Sequence, residues 1–271
     1  MKSCLLIIAV SIFAVQYSYS QKEYKENSLS FSIGPSFPVG NFANTNLSNN
    51  SAGFAKMGEY ANFSFNHKLS ERLSFTIMLN GQRNGLNTKA FAREFSKNAF
   101  FDDLPAFGPR YYSNWMVDKK SWYMESLQIG ITEEIPFSDN NKISFVARAL
   151  IGAAYAQLPK LYAQSFADTS YVVIQQNGAS AFGLSYTIGA GLKYKLNRKF
   201  NLIFNAAYSG TTQINFKNIT QTVIATNGGL NVPQIYSFSN SVDPITGETH
   251  TGTAKQPMGS VIENFGVELK L

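Results

Sequence analysis

The stretch from Phe182 to Leu196 constrains the fold of this chain more than any other. Phe182, Leu184, Tyr186, Ile188, Ala190, Leu192, Tyr194 and Leu196 take every second position, and Gly183, Ser185, Thr187, Gly189, Gly191, Lys193 and Lys195 fill the places between. In an extended strand, successive side chains project to opposite sides, so this order yields one apolar face and one small or polar face. A helix, with its 3.6-residue repeat, would scatter both sets around its circumference.

Seven further segments follow the same rule, with Gly, Ser, Thr, Asn, Gln and a few charges between their apolar residues. They carry Leu29, Phe31 and Ile33; Ala61, Phe63 and Phe65; Leu73, Phe75, Ile77 and Leu79; and Leu127, Ile129 and Ile131. The remaining three carry Phe145, Ala147, Ala149 and Ile151; Phe200, Leu202, Phe204, Ala206 and Tyr208; and Phe265, Val267, Leu269 and Leu271. Short polar connections (67–72, 136–142 and 197–199) alternate strictly with long ones (38–52, 84–121, 157–181 and 213–259). In an up-and-down barrel, odd and even connections lie at opposite ends. The expected fold is therefore all-β: an eight-stranded antiparallel up-and-down transmembrane β-barrel, with four long loops on one side and short turns on the other.

Alternation does not say which face points inward. A soluble lipocalin-like barrel also alternates, with its apolar face lining a ligand cavity. Here the polar face is mostly Gly, Ser, Thr and Asn rather than the Lys, Glu and Asp that keep a soluble surface in water. Charged residues are 15% of the chain, against ~25% in an average soluble domain. Those on the polar face, such as Arg148, Lys193 and Glu268, can pair in a wet lumen. Aromatics near the apolar strand ends, at Tyr155, Phe182, Tyr194, Phe200 and Tyr208, suit an interfacial girdle. A closed barrel also leaves no unpaired backbone edge, which hydrocarbon forbids. The expected setting is thus the outer membrane, apolar face outward in contact with membrane lipid.

The N-terminus agrees with export. Lys2 precedes an apolar run from Leu5 to Val15, and Ser18-Tyr19-Ser20 places small residues where a signal peptidase cuts before Gln21. Residues 1–20 read as a cleaved signal peptide and 21–271 as the barrel domain. Cleavage would remove Cys4, the only cysteine, and with it thiol catalysis, disulfides and thiolate metal sites. The net charge of +6 is spread without any run of five or six like charges, which gives no footprint for nucleic acid.

Two segments carry a family resemblance. The strand Leu29-Ser30-Phe31-Ser32-Ile33 ends in Gly34-Pro35 and runs through Ser36 and Phe37 into Pro38-Val39-Gly40-Asn41-Phe42, and the chain closes with Asn264-Phe265-Gly266-Val267-Glu268-Leu269-Lys270-Leu271. In this pattern the chain resembles the outer-membrane β-barrel proteins of Bacteroidota, including the PorT-type family, and more distantly the OmpA- and OmpX-like barrels. The resemblance implies insertion by the barrel-assembly machinery, which reads an amphipathic final strand ending in an aromatic. Leu271 stands where that aromatic would be.

Candidate chemistry is sparse. His67 lies in a short turn; His250 lies in the longest connection with Asp243 and Glu248 nearby. A lipid-modifying barrel enzyme would need such a triad on rigid strands rather than in a Gly- and Asn-rich loop. Asp102-Asp103, Glu133-Glu134 and Asp139-Asn140-Asn141 lack metal-site spacing and read as solvated loop residues. No catalytic, cofactor-binding or metal residue is assigned. The most distinctive connection is 84–121, with Phe91, Phe95, Phe100, Phe101, Arg110, Tyr111, Tyr112 and Trp115. Aromatics with Arg make interface hot spots, so the loop is either an extracellular surface for a protein or glycan, or a segment that packs on itself and caps the barrel mouth. Thr88 is expected to cap a helical turn in which Phe91 and Phe95 meet at i, i+4. A solute pore is not expected, since eight strands leave a lumen that side chains fill. The expectation is a non-enzymatic barrel with a structural or surface-interaction role through its long loops, with the soluble binder and the lipid-modifying enzyme as alternatives.

Overall fold

The computed structural model describes residues 26–97, 114–137, 142–167, 170–227, 230–236 and 252–271. Residues 1–20, expected to be a signal peptide, and His250, Asp102-Asp103 and Asp139-Asn140-Asn141 lie outside them.

In chain order the elements begin with β1 (Asn27–Pro38), a 3-10 turn (Gly40–Phe42), β2 (Ala55–Lys68), β3 (Leu73–Leu86) and helix α1 (Thr88–Lys97). Then come β4 (Met116–Val117), β5 (Ser121–Pro136), β6 (Ile143–Leu158), β7 (Leu161–Ala167) and β8 (Ser170–Gln176). The chain continues through β9 (Ala179–Lys195), β10 (Phe200–Thr211), β11 (Ile214–Ile219), β12 (Gln221–Asn227) and β13 (Leu230–Tyr236). It ends with β14 (Gly252–Gln256) and β15 (Gly259–Lys270).

Eight strands, β1, β2, β3, β5, β6, β9, β10 and β15, close into one barrel in that order. Every pair is antiparallel, and the seam joins the first strand to the last, with Phe31 opposite Val267 and Ile33 opposite Phe265. All eight are segments whose alternation marks them in the sequence.

The barrel is inside-out relative to a soluble protein. Phe31, Leu127 and Ile188 are 55%, 56% and 62% exposed, while their neighbours Ser30, Gln128 and Thr187 are 4%, 0% and 2% exposed. Cross-strand rows continue the sorting around the wall, as in Phe31–Phe63–Leu79–Leu127. Outside, near the loop end, Tyr155 packs on Phe182 at 5.2 Å and Tyr186 on Tyr208 at 5.9 Å. Small inward residues let the wall curve tightly: a Cβ added at Gly152 would collide with the Leu127 carbonyl of the adjacent strand.

The long connections are not simple loops. After Pro159-Lys160 and before Asn177-Gly178, the hairpin of β6 and β9 resumes pairing as β7 and β8, starting at Leu161 opposite Gln176. With β4, β12 and β13 these make a five-stranded sheet beyond the barrel, and β11 pairs with β14 in a second small sheet. Their weak sequence contrast, as in Gln221-Thr-Val-Ile-Ala-Thr-Asn227, hides strands that tertiary pairing stabilises.

Helix α1 forms, but with a different cap. The Ala90 N–H donates to Oδ1 of Asn87 at 3.1 Å, so Asn87 and not Thr88 is the cap. Thr88 is already the first helical residue, whereas a capping side chain must precede the helical backbone to reach the free N–H groups. Phe91 and Phe95 do meet, edge to face at 4.6 Å.

Candidate functional site

The lumen has two chemically distinct halves. Toward the short turns, Lys193 of β9 donates to Glu134 of β5 at 2.7 Å and to Glu268 of β15 at 2.9 Å. Arg148 of β6 donates to Oδ1 of Asn205 at 3.0 Å, and Asn201 donates to Glu268 at 2.7 Å. Two cations and two carboxylates thus sit together inside the wall. A lone charge there would cost several kcal/mol, and hydrogen-bonded pairing offsets that cost. Arg148, Lys193 and Glu268 were legible as inward charges; Glu134 was not. It lies one residue from Glu133, and only the phase of β5 turns it into the lumen, so it is a paired interior carboxylate rather than a solvated loop residue. His67 is the penultimate residue of β2, with Nδ1 2.8 Å from Oδ1 of Asn27.

A polar cavity of about 40 Å³ connects this cluster to the short-turn rim, where Glu26, Lys68 and Lys270 line it. Glu26 precedes β1 and accepts from Lys68 at 2.8 Å and from Lys270 at 2.6 Å. Burial by itself would raise its pKa, but the hydrogen bonds from Lys270 and Lys68 prevail and hold the carboxyl at about 2, below its ordinary 4.5. Because the folded value is the lower one, the contribution of Glu26 to stability is complete above about pH 4.5 and is lost as pH falls through about 2. The clamp joins β1 to its neighbours on both sides of the barrel seam. Glu26→Gln should therefore flatten the acid limb of an unfolding-versus-pH curve over that interval; an unchanged limb would mean that the clamp adds no stability.

Toward the long loops, the lumen is closed by an apolar plug. Trp122 and Met124 of β5 and Ala154 and Ala156 of β6 point inward and meet Phe42, Ile214, Phe216, Ile219 and Met258. Phe42 stands edge-on to Trp122 at 5.6 Å, Phe216 lies 6.2 Å from it, and Trp122 Nε1 donates to the Gly53 carbonyl at 2.8 Å. The sequence signal for this plug is a breach of the alternation, since Trp122 and Met124 are large apolar residues on the face that is otherwise small and polar.

Above the plug, a second core gathers Phe54, Leu86, Phe91, Phe95, Trp115, Leu161, Ala163 and Ile174. Phe54 packs on Phe91 at 4.6 Å and Phe95 on Trp115 at 5.0 Å. Phe54 holds a left-handed backbone, φ 48°, while its carbonyl accepts from the Asn87 N–H at 2.6 Å and ties the first long connection to the start of α1. Of the residues singled out in 84–121, the structure brings Phe91, Phe95 and Trp115 together, each less than a tenth exposed. Phe100, Phe101, Arg110, Tyr111 and Tyr112 lie outside the described residues. The sheet strands β7 and β8, which supply Leu161, Ala163 and Ile174, have no counterpart in the sequence reading.

No family model and no curated protein sequence matches the chain. Among solved structures, the chain is similar to Ail, the attachment invasion locus protein of Yersinia pestis, with 12% identity, 92% of this chain and 100% of that chain covered and a TM-score of 0.40. It is similar also to a major outer membrane protein of Thermus thermophilus, with 12% identity, 90% and 99% covered and a TM-score of 0.43. Neisserial surface protein A gives 10% identity, 91% and 97% covered and a TM-score of 0.38. Likeness at this level transfers no function; the architecture rests on the strand pairing itself.

Proposed function

We propose that the protein is an integral barrel of a bacterial outer membrane, long connections outward, with a non-enzymatic structural or surface-interaction role. The observation that carries this reading is the inverted exposure of the wall: a continuous apolar outside around a polar, ion-paired inside, which water would not stabilise and hydrocarbon would. The same sorting counts against the soluble lipocalin-like reading, whose ligand cavity needs an apolar lining. The lumenal charges pair with one another beneath an apolar plug, which favours scaffolding over lipid-modifying catalysis and over conduction. Export by cleavage of residues 1–20, insertion by the barrel-assembly machinery and an origin among Bacteroidota barrels complete the proposal. The outer five-stranded sheet and its aromatic core form a platform from which an extracellular protein or glycan would be met.

Leu79→Arg and Ile188→Arg, in the middle of the apolar band, are expected to cost about 2–4 kcal/mol each in urea unfolding from lipid vesicles. Met116→Arg, in the outer sheet and 53% exposed, should change little. Equal, negligible effects at all three positions, together with a monomer in detergent-free buffer, would overturn the membrane assignment.

A further inference from the structure

The wall formed by β1, β2, β3 and β5 carries an outward-facing groove of about 600 Å³, within the ~300–1,000 Å³ of ligand clefts. It exists because two small residues meet there. Ala61 lies opposite Gly81, between Ile33 on one side and Glu125 on the other, and a Cβ built on Gly81 would touch nothing within 4 Å. One row toward the long loops stand Glu59, Arg83 and Tyr123 on neighbouring strands. One row toward the short turns stand Phe63, Leu79 and Leu127, 47–56% exposed.

The rim is charged on a face that is otherwise apolar. The Arg83 guanidinium lies 5.5 Å over the Tyr123 ring, and its Nε donates to Ser121 at 3.4 Å. Neither Arg83, Glu59 nor Glu125 has an ion-pair partner among the described residues. One cation flanked by two carboxylates at the edge of a greasy hollow is complementary to a molecule with an anion, a hydrogen-bonding cation and an alkyl chain.

We propose that this groove holds one membrane lipid whose headgroup carries both a phosphate and a primary amine. The phosphate pairs with Arg83, which can meet two of its oxygens at once. The ammonium donates to Glu59 and Glu125, and an acyl chain runs over Gly81 along Phe63, Leu79 and Leu127. A lipid with phosphate alone would face two unanswered carboxylates. A quaternary amine would offer them no N–H donor. The occupant is a lipid rather than a second protein because the hollow is continuous with the apolar row Phe63, Leu79 and Leu127 of the band that we assign to the membrane.

The test uses full-length mature protein in micelles, incubated with equal amounts of phosphatidylethanolamine, phosphatidylglycerol and phosphatidylcholine of identical chains and read by native mass spectrometry. One phosphatidylethanolamine should be retained per chain. Arg83→Gln should weaken retention about tenfold or more, the loss of a charge-assisted hydrogen bond. Gly81→Phe, which the open space at that position accommodates, should abolish retention while the heat-modifiable shift on electrophoresis remains. The double variant Glu59→Gln/Glu125→Gln should move the preference toward phosphatidylglycerol. Retention of phosphatidylglycerol by the wild-type protein as firmly as phosphatidylethanolamine, retention unchanged in Gly81→Phe, or a dimer without lipid would each overturn the proposal. Because the mobility shift reports the folded barrel separately, loss of the lipid site and failure of the membrane reading remain distinguishable.

Discussion

Replacing Lys193 by methionine is expected to lower the unfolding free energy of the barrel by about 3–5 kcal/mol, the cost of leaving a buried charge without its partner. Lys193 bridges Glu134 and Glu268 at 2.7 and 2.9 Å, so its removal strands two carboxylates in the wall with Arg148 as the cation left in the cluster. The double variant Lys193→Met/Glu134→Gln removes one charge of each sign and should recover much of the loss, because Arg148 and Glu268, which attract each other inside the wall, then balance. Lys199→Met, on an exposed turn, is the control for charge alone. The measurement is urea unfolding in vesicles, followed by the electrophoretic mobility of folded and unfolded forms. If Lys193→Met unfolds with Lys199→Met, or if the double variant is worse than the single one, the lumenal cluster does not tie the wall together.

Truncating Trp122 should have an effect of similar size for a different reason. Trp122 is 4% exposed, packs in the plug against both Phe42 and Phe216, and is tied to Gly53 through its indole N–H. Trp122→Ala would leave a large cavity and an unanswered carbonyl, about 3–5 kcal/mol together. Trp122→Phe keeps most of the volume and should lose mainly the hydrogen bond, about 1 kcal/mol. The plug also anchors the first long connection through Phe42 and the strand β11 through Phe216. In sealed proteoliposomes, Trp122→Ala should therefore expose those elements to added protease at concentrations that leave the wild-type protein intact. Equal protease resistance in both would mean that the outer elements are held by the upper aromatic core instead.

The barrel was legible because a wall strand between two unlike environments must alternate, and a one-residue slip would exchange its faces. That requirement is local, so Phe182 to Leu196 declares its structure without reference to any other residue. The capping of α1 shows the limit of local rules: Asn87 and Thr88 are both good cap formers, and which one serves depends on where the backbone turns, which the Asn87 N–H bond to Phe54 helps decide. The outer sheet was not legible. Strands such as Gln221–Asn227 carry no alternation of apolar and polar residues, and β12 joins the outer sheet by pairing with β8, which a different long connection supplies.

By itself the sequence determined the number of barrel strands, their order, the face each turns outward and the end of the barrel at which the long connections emerge, since all of these follow from alternation and spacing along one dimension. Tertiary structure alone decided that Glu134 pairs with Lys193, that Trp122 closes the mouth with Phe42 and Phe216, and that Ala61 and Gly81 meet to hollow the wall beneath Arg83. The physical reason is register: which residues from different strands stand side by side is set by the closure of the whole barrel, and no single strand carries that information.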